Sequence, residues 1–238
     1  MRKSKKKDTS PKVHQNEKLR DNLNISKRDL TDKQTDLLKI LQDKNTKMVF
    51  ISGPAGTSKT FTSVLAGLHL INEKRISDII YVRSAVESSD NKLGFLPGEI
   101  NEKMSPYIQP LIDKLEELLP KCDIEKLKKE ERIQGFPLNF LRGLNWNAKC
   151  IIADEAQNMS RKELITLVTR VGEFSKLYIC GDPGQSDING KSGFVPMMRL
   201  FDDSESRENG IYTFKFDEED VVRSGLVKFL LKKLKNLS

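Results

Sequence analysis

Apolar and polar positions change period several times along the chain. From Thr31 onward, Leu37, Leu38, Ile40 and Leu41 recur at helical spacing, and the threonine suits an N-cap. A short apolar run follows in Lys47–Ser52, which predicts a buried strand. Phe61, Val64, Leu65, Leu68 and Ile71 return to the helical period and predict a helix over Phe61–Asn72. Ile79–Arg83 reads as a second strand, Ile151–Asp154 as a third, Leu177–Gly181 as a fourth and Tyr212–Phe216 as a fifth. Helices are expected over Pro106–Leu119, Ser160–Val171 and Asp220–Leu234. Residues 121–134 are highly charged and read as a solvated connector. Strands alternating with helices predict an α/β fold with a mostly parallel sheet, helices on both faces and ligands beyond the carboxyl ends of the strands.

Charge divides the chain in two. Residues 1–20 carry eight lysines and arginines against Asp8 and Glu17, whereas the whole 238-residue chain has a net charge of only +7. Residues 1–28 are read as a basic, disordered arm, and residues 29–238 as one domain. Such an arm attracts nucleic acid by counterion release, or serves as a solubilising tail. No apolar run approaches the roughly 20 residues needed to span a bilayer, and no apolar stretch follows the basic start as in a secretory signal. No membrane partner and a cytoplasmic location are expected. Cys122, Cys150 and Cys180 lack metal or disulfide spacing. Neither His14 nor His69 is assigned a role.

Candidate chemistry lies just after the predicted strands. Gly53-Pro54-Ala55-Gly56-Thr57-Ser58-Lys59-Thr60 sits between a strand and an amphipathic helix. In a GxxxxGK[ST] loop, backbone N–H groups and the following helix N-terminus cradle phosphates, the lysine reaches the β- and γ-phosphates, and the hydroxyl holds Mg²⁺. Lys59 and Thr60 take those two parts here. Ser58 stands where glycine is usual; a left-handed backbone there would cost about 1 kcal/mol. Asp154 and Glu155 end an apolar strand. With the loop upstream they read as a magnesium-binding carboxylate and a base that orients water; alone, they read equally well as an acidic helix start. Gln185, in Gly181-Asp182-Pro183-Gly184-Gln185, is a candidate γ-phosphate sensor or part of a plain turn.

Together these segments resemble the PhoH-like family of P-loop ATPases, related to superfamily 1 helicases, over roughly residues 30–232. Further matching segments are Tyr81-Val82-Arg83 with Val86-Glu87, Leu93–Glu99, Pro106-Tyr107 with Pro110-Leu111, and Pro137-Leu138 with Leu141-Arg142-Gly143. Asp220-Val221-Val222-Arg223 completes them. The resemblance implies a RecA-like fold whose five strands run in the order 5-1-4-3-2, ATP and Mg²⁺ as cofactors, and ATP hydrolysis coupled to RNA or single-stranded DNA. It also implies an adenine-reading role for Gln34 and a late arginine, Arg223, facing the γ-phosphate. Arg83 and Arg142 are weaker candidates for contacts to nucleic acid or to a neighbouring subunit. Ser84 departs from the proline common in the family after Arg83. One RecA-like lobe leaves the ATP cleft half built, so Arg223 is expected to serve a neighbour in a ring, by family a hexamer. A nucleotide-gated binding module with little turnover and a small-molecule kinase are the alternative readings.

Overall fold

The computed structural model describes residues 22–84, 100–138, 141, 146–188 and 190–222, with residues 100–106 described by backbone alone. Its elements run α1 (Asp32–Gln42), β1 (Met48–Ser52), α2 (Lys59–Asn72), β2 (Asp78–Arg83), α3 (Ile100–Leu118), α4 (Lys121–Lys129), β3 (Ile133–Pro137) and β4 (Lys149–Asp154). They continue with α5 (Arg161–Val168), β5 (Lys176–Gly181), α6 (Phe194–Leu200), α7 (Ser204–Glu208) and β6 (Ile211–Lys215).

The sheet has six strands in the order β3-β2-β4-β5-β1-β6. This corrects the five-stranded sheet in the order 5-1-4-3-2. The additional strand, β3, pairs parallel to β2 from Ile79↔Ile133 to Arg83↔Pro137. The hydrophobic pattern hides β3 because it is short, carries Gly135 and ends in Pro137, features that suit only an edge position. The expected connector is likewise structured: α4 has only Ile124 and Leu127 buried, on an otherwise charged helix.

Period-2 alternation sends each central strand to two cores. Val49, Ile51, Ile79, Tyr81, Cys150, Ile152, Tyr178 and Cys180 pack with α1, α2 and α3 residues such as Leu37, Leu68 and Leu111. Phe50, Ile80, Val82, Ile151, Ala153 and Ile179 pack on the opposite face with Leu164, Phe194 and Met198 of α5 and α6. Because the central strands are buried on both faces, they read as continuous apolar runs. Capping boxes start α1, with Thr31 and Gln34, and α5, with Ser160 and Glu163.

The parallel register places Ser52 beside Gly181 and Lys215, and Arg83 beside Asp154. The loops after β1, β4 and β5 therefore emerge at one edge of the sheet. Leu23 is buried, with its backbone N–H bonded to Asn72, so residues just ahead of α1 lie against α2. Within the described residues, no helix is long and apolar enough to cross a membrane.

Candidate functional site

A cavity of about 590 Å³ opens at that edge. Its floor is the loop from Gly53 to Thr60. The loop needs two left-handed residues, Gly56 (φ 88°) and Ser58 (φ 66°, ψ 28°), before α2 begins at Lys59. The serine that replaces the usual glycine thus falls on a conformation that glycine adopts without penalty and serine does not. The loop is braced on three sides. Gly53 N–H donates to Gly181 O at 3.2 Å, Ala55 N–H to Asp182 Oδ2 at 2.9 Å, and Val222 N–H to Gly56 O at 2.9 Å. Lys59 folds back onto the loop, its Nζ donating to Gly53 O at 2.7 Å and Pro54 O at 2.9 Å.

Thr60, one residue into α2, donates from Oγ1 to Asp154 Oδ1 at 2.8 Å. The other carboxylate oxygen, Oδ2, accepts from Tyr81 Oη at 2.5 Å. Tyr81 lies wholly buried behind the site. Burial foremost, and then the Asp154 charge, push its phenol far above the ordinary value, so it remains a donor. Cys180 on the cavity wall is pushed up to about 12, again mainly by burial, and stays a thiol.

Glu155 has φ 54° and ψ 39°, a left-handed conformation uncommon outside glycine and of the kind that collects at functional sites. Its Oε2 accepts from Gln157 Nε2 at 2.5 Å, and its Oε1 lies 3.6 Å from an Arg83 guanidinium nitrogen. Gln157 in turn accepts the backbone N–H of Asp182 at 2.9 Å, which joins the β4 and β5 loops. Gln185 is exposed on the cavity wall, its N–H bonded to Asp182 O. Gln34 lines the same cavity but is only 4% exposed, and its Oε1 accepts Thr31 N–H at 3.1 Å as part of the α1 cap.

The fold therefore gathers the Gly53–Thr60 loop, Asp154, Glu155, Gln185 and Gln34 around one cavity. Arg223 and Arg142, the Val86-Glu87 and Leu93–Glu99 segments, and most of the expected last helix lie outside the described residues. Asp220 ends a 3₁₀ turn over Glu218–Asp220. Residue pattern alone does not reveal the site contributions of Tyr81 and Asp182. Tyr81 looks like any apolar strand residue, whereas Asp182 has a short-range signal, an Asx turn onto Gly184 N–H at 3.0 Å. Within the described residues, no three His, Cys, Asp or Glu side chains converge as an all-protein metal cage. A hydroxyl touching one carboxylate instead fits Mg²⁺, which takes one or two carboxylates and completes its shell with water and phosphate.

The family model described as PhoH-like protein matches residues 26–235. A PhoH-like protein of Bacillus subtilis is 36% identical over 191 residues, covering 79% of this chain and 58% of that one. One from Mycobacterium tuberculosis H37Rv is 37% identical over 187 residues, covering 78% and 51%. The Escherichia coli protein PhoH is 30% identical over 197 residues, covering 81% and 54%. The chain thus spans between half and three fifths of the length of these curated relatives. The chain belongs to the PhoH-like family.

Proposed function

We propose that this PhoH-like chain binds ATP with Mg²⁺ at the cavity and hydrolyses it, and that the cycle acts on RNA or single-stranded DNA. The observation that carries the reading is the 2.8 Å contact between Thr60 and Asp154, which joins the end of the phosphate loop to the end of β4. Two residues 94 positions apart meet where a nucleotide's metal is needed.

The residues divide the work by their chemistry. Backbone amides of Gly56, Thr57, Ser58 and Lys59 face the phosphates, and the start of α2 adds its positive end. Lys59 exchanges two loop carbonyls for phosphate oxygens, a stronger charge-assisted contact. Thr60 and Asp154 would hold Mg²⁺, which would neutralise phosphate charge when bound. Glu155, steadied by Gln157 and Arg83, orients water and takes its proton. Gln185 reads the γ-phosphate and passes its loss to Asp182 and the loop. Gln34 meets the base as part of a cap in which one lone pair of Oε1 is engaged by Thr31 N–H, and its side-chain NH₂ donates to the base. Arg223 of one subunit serves its neighbour in a ring, a hexamer by family.

Steady phosphate release by the purified chain, abolished in Lys59→Ala and stimulated by RNA or single-stranded DNA, is the expected result. Nucleotide binding without release would favour the gated-module reading, to which the left-handed Ser58 lends support. Mixing Arg223→Ala with Glu155→Gln chains tests the ring: turnover regained in the mixture supports shared sites, and a monomer with full activity refutes them.

A further inference from the structure

A second cavity, of about 750 Å³, lies at the amino ends of β1 and β5, where Lys47 and Lys176 begin or precede the strands. β1 is five residues long, so roughly 16 Å of strand separates this edge from the phosphate loop. Phe174 stands on the rim, 79% exposed and with φ 60°. Glycine fits such a backbone freely, whereas a side chain is strained there. A bulky ring in that conformation, facing solvent, contributes nothing to the core beneath it.

The charges around the ring are mostly positive. Lys44, Lys47, Arg75 and Lys176 line the cavity with one carboxylate, Glu173. Arg75 is committed to Gln42 O and Glu73, and Lys176 to the carbonyls of Asp43 and Thr46. Lys44 and Lys47 are exposed and have no ion pair among the described residues. An exposed ring on a cavity that two uncommitted lysines also line suits a ligand carrying both an open π-face and phosphates. A duplex keeps its bases stacked inside; a single strand offers them.

We infer that this face binds single-stranded nucleic acid, with a base stacked on Phe174 and the backbone phosphates drawn to Lys44 and Lys47. The inference rests on the nucleic-acid half of the proposed function and assigns it a place, remote from the nucleotide cavity. The basic N-terminal arm adds attraction without stacking.

The test is fluorescence anisotropy of a labelled oligo-dT of about 16 nucleotides with the full chain, across a salt series. Phe174→Gly suits the left-handed backbone, and its thermal midpoint is expected to equal or exceed that of wild type. It should bind about tenfold more weakly with the salt slope unchanged. Lys44→Ala with Lys47→Ala should lower the slope of log affinity against log salt by about 1.4, two phosphates' share. Wild-type affinity in Phe174→Gly overturns the inference and leaves nucleic-acid binding to the arm or another face. No binding by wild type at low salt overturns both the inference and the nucleic-acid half of the function. A smaller assembly for Phe174→Gly in sedimentation also overturns it, because the ring would then belong to a contact between copies.

Discussion

Replacing Tyr81 by phenylalanine removes one oxygen and tests whether the Asp154 carboxylate is held in place from behind. The hydroxyl lost is wholly buried and sits 2.5 Å from Asp154 Oδ2. A hydrogen bond to a charged group contributes about 1.5–3 kcal/mol. Asp154 keeps its bond from Thr60 and remains part-exposed, and the phenylalanine ring is well suited to the apolar face around it. The lower end therefore applies, about 1.5 kcal/mol, or roughly 3–6 °C in the thermal midpoint of a chain this size. The functional effect should be larger in proportion, because groups that orient a metal-binding carboxylate commonly change affinity or activity by about 10- to 100-fold. Two assays separate the effects: thermal unfolding of the free protein, and binding of a fluorescent ATP analogue across a magnesium titration. The expected result is a lower midpoint and about tenfold more magnesium for half-maximal binding. An unfolding free energy within about 0.5 kcal/mol of wild type, together with an unchanged magnesium requirement, refutes the reasoning.

Other substitutions read different parts of the same architecture. In Gly53→Ala the new methyl would lie 2.6 Å from Phe216 Cβ and 3.1 Å from its carbonyl oxygen, so the loop or the segment just after β6 must shift. A loss of about 2 kcal/mol in urea unfolding is expected. Ser58→Gly relieves the left-handed serine but adds disorder to the unfolded chain, for a net gain of roughly 0.5 kcal/mol; a loss would show that the serine side chain holds the loop. Lys176 is brought down to about 8, mainly by burial and next by Arg75. Its unfolded form keeps the proton up to the ordinary 10.5, so stability from this group rises with pH between those values. Wild type should therefore gain about 2 kcal/mol relative to Lys176→Met between pH 7 and 10, measured as the difference between their urea midpoints. A pH-independent difference would contradict it.

The candidate chemistry-bearing segments are legible because each is local. The Gly53–Thr60 loop, the Asp154-Glu155 pair and Gln185 announce themselves by residue type and by the apolar strands just before them. The strand at Ile133–Pro137 was not legible, because charge on one side and glycine and proline within it break the pattern that a buried strand shows. Lys121–Lys129 is hidden for a related reason, since Ile124 and Leu127 alone are too few to establish a period. Gln34 is visible as a helix-start glutamine, but its engagement with Thr31 depends on a cap geometry that residue type does not dictate.

What the amino-acid order determined by itself is the set of short-range choices: where apolar runs alternate, which loop can present amides to phosphate, and which carboxylates end a strand. Tertiary structure alone decided that Thr60 touches Asp154, that Tyr81 anchors the same carboxylate, and that Phe174 lines one cavity with Lys44 and Lys47. The physical reason is reach. Backbone preference acts over a few residues, whereas these meetings join positions up to 130 apart through the register of parallel strands, which exists only once the whole sheet has formed.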